Sequence, residues 1–392
     1  MTQSSEQTRE METESAGELR AQAFERARRV VVKVGSGVLT GPSGLNADVI
    51  RSLASQISGL MDSGRQVILV SSGAVAAGIR ALGLSQRPAS IPERQAVAAV
   101  GQAGLIWEWE NAFGEYGKKV AQVLLTRDDL SNRKRYLNAR NTLSTLLSWG
   151  IAPVINENDT VVVDELKFGD NDNLSAMIAL LMDADALVNL TDIDGLFDRD
   201  PKKHADACLI PVVSRVTRQV EDLACELPGP LGTGGMTSKV RAARKACEAG
   251  IPTVVARGSD PGILMRLFSG EPAGTYFVPN SQKMASRKCW IGFAIKPRGA
   301  LVLDAGAVRA VVRDKKSLLP AGIREVEGEF SVGAAVECRG PDNAVLGVGL
   351  VNYSATDIRA ILGKKTGEIA RILGEKSYDE VIHRDNLVVR ES

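Results

Sequence analysis

Between residues 30 and 258, short apolar runs rich in β-branched side chains alternate with longer stretches of helical character. The runs are Val30–Val34, Gln66–Val70, Val120–Leu125, Ala152–Ile155, Ala186–Leu190 and Pro252–Val255. Strands that are apolar at nearly every position are covered on both faces, and the segments between them are long enough to be crossover helices. The pattern predicts a doubly wound α/β domain with a mainly parallel sheet. Ligands of such sheets sit beyond the carboxyl ends of the strands. There the polar residues collect: Lys33-Val-Gly-Ser-Gly37, Ser71-Ser-Gly73, Asn156-Glu-Asn-Asp159 and Thr191-Asp192.

After about residue 290 the texture changes to short strand-like pieces separated by turn signals such as Lys296-Pro-Arg-Gly299 and Arg339-Gly-Pro-Asp342. This predicts a small β-rich domain over 290–392, following an α/β domain over 28–285. Residues 1–27 are mostly Glu, Gln, Ser, Thr and Arg without apolar period, and read as a mobile N-terminal tail outside the fold. No run approaches the roughly 20 apolar residues of a membrane span, and no secretory signal opens the chain. The expected compartment is the cytoplasm.

The 392 residues suit two domains. With 48 basic against 47 acidic side chains, no global field favours nucleic acid or membrane. The five cysteines (Cys208, Cys225, Cys247, Cys289, Cys338) are scattered, with no C-x-x-C pair and only two histidines beside them. They read as reduced thiols, and no zinc or other protein-bound metal site is expected.

Lys33-Val-Gly-Ser-Gly37 sets a cation at the tip of a buried strand, and its glycines let backbone N–H groups approach phosphate oxygens. A turn with a solvated lysine is the plain alternative. Leu231-Gly-Thr-Gly-Gly-Met-Thr-Ser-Lys239 leads into a helical stretch, Val240–Ala249, stopped by Gly250. Its glycines, hydroxyls and helix start suit phosphate, against the alternative of a flexible linker. No G-x-x-x-x-G-K-[ST] occurs, which disfavours a P-loop fold. Phe168-Gly-Asp-Asn-Asp-Asn173 opens a helix marked by Leu174, Met177, Ile178 and Leu181. One Asp or Asn suffices as an N-cap. Four in a row, near Asn156, Asn158 and Asp159, could hold an ammonium group or orient lysines. An EF-hand fails, because Ser175 stands where its glycine is required. His383-Arg-Asp-Asn386 fails the protein-kinase catalytic-loop pattern, and His204 reads as a lone surface histidine.

Phosphate cradles, two separated lysines and an acidic cluster without histidine point to phosphoryl transfer. A carboxylate acceptor, with a pKa of about 4, is already ionised at neutral pH and needs no general base. Positioning, with charge spread over Lys33, Lys239, backbone amides and Mg²⁺, then suffices.

Taken together, VVKVGSGVLT (31–40), VSSGAVAAG (70–78), VINEND (154–159), GDNDN (169–173), TDIDGLF (191–197) and GTGGMTSK (232–239) resemble the glutamate 5-kinase family. The resemblance runs from about residue 29 to the end, and the segment beyond 290 looks like its C-terminal PUA domain. It implies the amino-acid kinase α/β/α sandwich and the ATP-dependent conversion of L-glutamate to γ-glutamyl phosphate, the first step of proline synthesis, with feedback inhibition by proline. It also implies a homo-oligomer and functional contact with glutamate-5-semialdehyde dehydrogenase, the γ-glutamyl phosphate reductase that consumes the labile product.

By the same resemblance, Lys33, Asp172 and Lys239 are the catalytic residues, with Asp172 holding the two lysines. Ser72, Asp159 and Asn171 bind glutamate, and Asp170 is a further contact to its ammonium. Lys33, Gly35, Thr191, Asp192, Thr233, Gly234, Gly235, Met236, Thr237, Ser238 and Lys239 line the nucleotide pocket. Ser36-Gly37 departs from the Thr-Ser of some members, which puts one hydroxyl contact in doubt. Two competing readings remain. PUA domains elsewhere bind RNA, but from Trp290 to Ser392 there are 15 Lys and Arg against 14 Asp and Glu, which fits a regulatory or architectural domain better. Other amino-acid kinases, acting on N-acetylglutamate, aspartate, carbamate or UMP, share the lysine arrangement but generally lack a PUA-like segment.

Overall fold

The structure is a computed structural model and describes residues 17–41, 44–86, 88–162, 171–225, 235–280 and 286–389. The chain divides into two compact units between Lys283 and Met284.

The first unit opens with a helix over residues 17–26 (α1). Next come β1 (Arg29–Val34), the short α2 (Ser36–Leu39), an antiparallel pair β2 (Thr40–Gly41) and β3 (Gly44–Leu45), α3 (Ala47–Asp62), β4 (Gln66–Ser71), α4 (Ala74–Ala81) and α5 (Ile91–Gly114). They are followed by β5 (Val120–Leu125), α6 (Arg127–Ser131), α7 (Arg133–Ser148), β6 (Ala152–Glu157), α8 (Asn171–Leu181) and β7 (Ala186–Thr191). The unit closes with β8 (Val212–Val213), α9 (Arg218–Cys225), α10 (Met236–Glu248), β9 (Thr253–Arg257), α11 (Ile263–Phe268) and β10 (Thr275–Phe277).

The strands form one eight-stranded sheet in the order β5-β6-β4-β1-β7-β9-β10-β8. Only the β9–β10 pairing is antiparallel. Four adjacent strands, β6, β4, β1 and β7, run parallel. Their carboxyl ends therefore lie along one rim, which brings together Asn156, Ser71, Lys33 and Thr191.

Alternation along the strands decides which residues face the site. Val30, Val32 and Val34 of β1 enter a core with Leu53 and Ile57 of α3, Leu105 and Trp109 of α5 and Leu264 of α11. That leaves Val31 and Lys33 on the opposite face, where α8 packs. Ala186, Val188 and Leu190 of β7 join the first core, so Asn189 shares the face of Lys33. The register pairs Lys33 directly with Asn189.

Helices α4 and α5 meet at backbone distance. A Cβ at Gly78 would lie 1.9 Å from the Val97 carbonyl oxygen, and one at Gly101 would lie 1.8 Å from that of Ala74. Both glycines are required by this approach. The crossing holds the start of α4, and with it Ser72 and Gly73, against the body of the domain.

The expectation of a mobile tail through residue 27 is corrected for residues 17–27. Phe24 is fully buried, with its ring centroid 5.4 Å from that of Phe268 and 6.4 Å from that of Tyr276. Arg20 and Ala27 are buried with it. A short helix needs only one apolar stripe, and arginine supplies a buried aliphatic stem while reading as polar.

The second unit contains β11 (Ala300–Leu303), β12 (Ile323–Glu327), β13 (Ala335–Arg339), β14 (Val345–Leu350) and β15 (Leu387–Val389). They form a sheet in the order β12-β11-β13-β14-β15, with only β11 and β13 parallel. Its core joins Leu301, Leu303, Val336 and Cys338 to Ile358 and Ile361 of the helix Ala355–Ile361. None of the five cysteines is joined in a disulfide. Among the described residues, no helix is long and apolar enough to cross a membrane.

Candidate active site

Asp172 is the hub of the rim. It lies in the first turn of α8 and is almost fully buried. Its Oδ1 accepts from Lys33 Nζ at 2.5 Å and Asn189 Nδ2 at 3.0 Å. Its Oδ2 accepts from Ser238 Oγ at 2.5 Å and Lys239 Nζ at 3.3 Å. Each carboxylate oxygen thus takes one ammonium and one neutral donor. Burial pushes this carboxyl upward, but the Lys33 and Lys239 charges, with hydrogen bonds from Lys33 and Ser238, prevail and hold it well below the usual carboxylate range.

Lys33 and Lys239 are only 4% and 5% exposed, so neither is a solvated surface lysine. A structural ion pair needs one ammonium per carboxylate. Two ammonium groups gathered on one carboxylate concentrate positive charge in a poorly solvated place, where an anion is favoured. The arrangement is suited to a phosphate.

Toward β6 and β4 the site changes character. Asn171 Nδ2 donates to Ser72 Oγ and to Asn156 Oδ1, both at 2.9 Å. Asn171 Oδ1 is buried and accepts no hydrogen bond from the described residues. Buried acceptors are seldom left so, and this one is available to an ammonium group. Asp159 is buried nearby in sequence to Asn156, at the end of β6. Burial and the negative charge of Glu157 push its carboxyl up to about 7, against the hydrogen bond from Gln102 on α5. Among the described residues, the charge that bears on Asp159 is the like charge of Glu157, in contrast with the two ammonium groups at Asp172.

Toward β7 and α10 lie the residues expected to meet a nucleotide. A Cβ on Gly35 would sit 3.3 Å from Leu190 O and 3.4 Å from Lys33 Nζ, so a side chain there would crowd the strand carbonyl and the lysine. Thr191 Oγ1 donates to Asp192 Oδ1 at 3.1 Å, and Asp192 is exposed. Gly235 is the N-cap of α10 and supplies no side-chain cap, leaving that helix start suited to a phosphate.

The helix begins at Met236, four residues before the expected Val240. Ser238 and Lys239 therefore reach Asp172 from a first helical turn rather than from a loop. Met236 turns into a small core with Val240 and Ala243, and Thr237 Oγ1 donates to Ala224 O of α9 at 3.1 Å. Neither side chain faces the hub. Asp170, Thr233 and Gly234 lie outside the described residues.

Two residues of the rim, Gln102 and Asn189, were not singled out from sequence for a role. Asn156 and Gln102 support Asn171 and Asp159. Asn189 breaks the apolar run of β7, and that interruption was the available signal.

The sequence profile of the Amino acid kinase family matches residues 28–257, and that of the PUA domain matches residues 299–373. A protein named Glutamate 5-kinase from Geobacter sulfurreducens is 51% identical over 372 residues, covering 95% of this chain and all of the relative. One of the same name from Geobacter metallireducens is 52% identical with the same coverage. A third, from Meiothermus ruber, is 52% identical over 358 residues, 91% of this chain and 94% of the relative.

Proposed function

The chain belongs to the glutamate 5-kinase family, within the amino acid kinases, and on that premise we propose that it phosphorylates the side-chain carboxylate of L-glutamate with ATP. The product is γ-glutamyl phosphate, and the reaction opens the synthesis of proline. The observation that carries this reading is one buried carboxylate, Asp172, set between two buried lysines.

A γ-carboxylate oxygen attacks the γ-phosphorus of ATP, the bond to the bridging oxygen breaks, and ADP leaves with that electron pair. Lys33 and Lys239 neutralise charge on the phosphoryl oxygens, and Asp172 keeps both in place without entering the reaction. Asp172 already accepts from four donors, so it has no oxygen free for a metal. Mg²⁺ is accordingly assigned to the ATP phosphates as part of the substrate.

Ser72, Asn171, Asp159 and Asp170 are assigned to glutamate, the last three as partners for its ammonium. Gly35, Thr191, Asp192 and the segment 233–239 are assigned to the nucleotide, with Met236 and Thr237 contributing backbone only. Proline shares the α-carboxylate and a cationic nitrogen with glutamate and is assigned as the feedback inhibitor. The enzyme is further proposed to be a cytoplasmic homo-oligomer that works with the γ-glutamyl phosphate reductase, because its acyl phosphate hydrolyses readily. The PUA domain is assigned a regulatory or architectural role, and salt-sensitive RNA binding at micromolar protein would contradict it.

The test is ADP release with ATP, Mg²⁺ and L-glutamate, with hydroxylamine trapping the acyl phosphate. Glutamate-dependent hydroxamate, suppressed by proline, is expected. Turnover of N-acetylglutamate, aspartate, carbamate or UMP without turnover of glutamate overturns the substrate.

A further inference from the structure

Asn189 occupies a position where the fold alone would prefer an aliphatic side chain. Its neighbours on β7, Leu187, Val188 and Leu190, are fully buried, and Asn189 itself is 1% exposed. An amide placed there costs stability unless both its ends are hydrogen-bonded. Only one end is. Asn189 Nδ2 donates to Asp172 Oδ1 at 3.0 Å, and among the described residues Asn189 Oδ1 has no hydrogen-bond partner. The residue therefore carries an unsatisfied acceptor in the core in exchange for one bond to the hub carboxylate.

The register explains which lysine is affected. Asn189 is paired across the strands with Lys33, and both donate to the same oxygen of Asp172. Ser238 and Lys239 make the matching pair on Oδ2. When Lys33 turns toward a phosphoryl group, its hold on Oδ1 weakens, and Asn189 is the donor that remains there.

We propose that Asn189 is a positioning residue for phosphoryl transfer, the neutral donor that lets Lys33 be shared between Asp172 and the transferring group. This rests on the reading of Lys33, Asp172 and Lys239 as the transfer machinery. The bond matters most when negative charge develops on the phosphoryl oxygens. It should therefore appear in kcat rather than in the binding of either substrate.

The experiment compares the full-length parent with Asn189→Leu, and with the smaller Asn189→Val in case leucine does not fit. Hydroxamate formation is measured at varied glutamate and ATP, alongside thermal unfolding. Expected is a fall in kcat on the order of 10- to 100-fold, the range of one hydrogen bond to a charged group, with both KM values within about twofold. The Tm should stay level or rise, because an unsatisfied buried acceptor has been removed. An unchanged kcat overturns the proposal, as does a kcat loss matched by a lower Tm, or a rise in either KM with kcat held. Lys33→Met separates the two levels. If it remains fully active, the underlying assignment of the transfer machinery fails; if it is inactive while Asn189→Leu is unimpaired, only the role of Asn189 fails.

Discussion

Asp172 and Asp159 are both aspartates buried at the rim of the same sheet, yet their charges are handled in opposite ways. Asp172 meets two ammonium groups and stays ionised far below neutrality. Asp159 meets a glutamate of like charge and a neutral amide, and burial carries its carboxyl up to about 7. Burial alone fixes neither outcome; the partner does. One carboxylate is furnished by the fold with two ammonium groups, and the other is the one proposed to meet the cation of the substrate. This is the division expected when a phosphate side and an amino-acid side share one pocket.

Removing the furnished half should have the largest effect. Asp172→Ala removes the carboxylate that two buried ammonium groups share and should lower unfolding stability by about 3–5 kcal/mol, read from the denaturation midpoint. Lys33→Met should lower kcat by about 10²- to 10³-fold with the fold retained, since Asp172 keeps Lys239, Ser238 and Asn189.

The unfurnished half should respond in binding. Asp159→Asn removes the charge proposed to meet the substrate ammonium and should raise the KM for glutamate by about 10- to 100-fold, the value of a charge-assisted hydrogen bond. The KM for ATP should not move, and a matching change there would dissolve the contrast between the two aspartates.

Acidity sharpens the comparison further. In the unfolded chain Asp159 loses its proton near pH 4, while in the free fold it keeps it to about 7. The native state holds the extra proton between these values. The contribution of Asp159 to stability is therefore full below about pH 4 and is lost as pH rises to about 7, by at most about 1.4 kcal/mol per unit. Asp172 has the opposite sign. Its contribution is present above about pH 4 and is lost only on further acidification, so it is constant from pH 5 to 7. Glutamate should bind with release of a proton below pH 7, and its KM should rise by up to about tenfold per unit of falling pH. Asp159→Asn should flatten both profiles, and a slope that persists in that variant would assign the proton to another group.

The smallest effect is expected at Gln102. Its hydrogen bond opposes the rise of the Asp159 carboxyl. Gln102→Leu should move the glutamate pH profile upward, a shift of about 1 kcal/mol or less in binding near pH 7, while leaving kcat unchanged.

The rim was legible in the sequence because strands buried on both faces appear as apolar runs, and the residues after each run had nowhere else to lie. Lys33, Asn156 and Thr191 follow from that reasoning alone. Asp172 could be placed at a helix start, but sequence spacing cannot say which oxygen takes which lysine. Helix α1 was hidden because Phe24 is one aromatic among charged residues, and because the buried Arg20 reads as a solvated polar residue. The first turn of α10 was hidden by three glycines and three hydroxyls, which read as loop until the helix is seen to begin inside them. Asn189 is the instructive miss. It violates the strand pattern, and a local violation without structural benefit is where function is to be sought.

The crossing of α4 over α5 constrains how this pocket can change by descent. At Gly78 and Gly101 even one added carbon would overlap a main-chain carbonyl of the facing helix. No single substitution at either position leads to a larger residue without first separating the two helices. Lineages that retain this chain's α4–α5 crossing would change any preference for amino acids through the residues proposed to meet them, Asp159, Asn171 and their neighbours, while the backbone beneath Ser72 stays where it is.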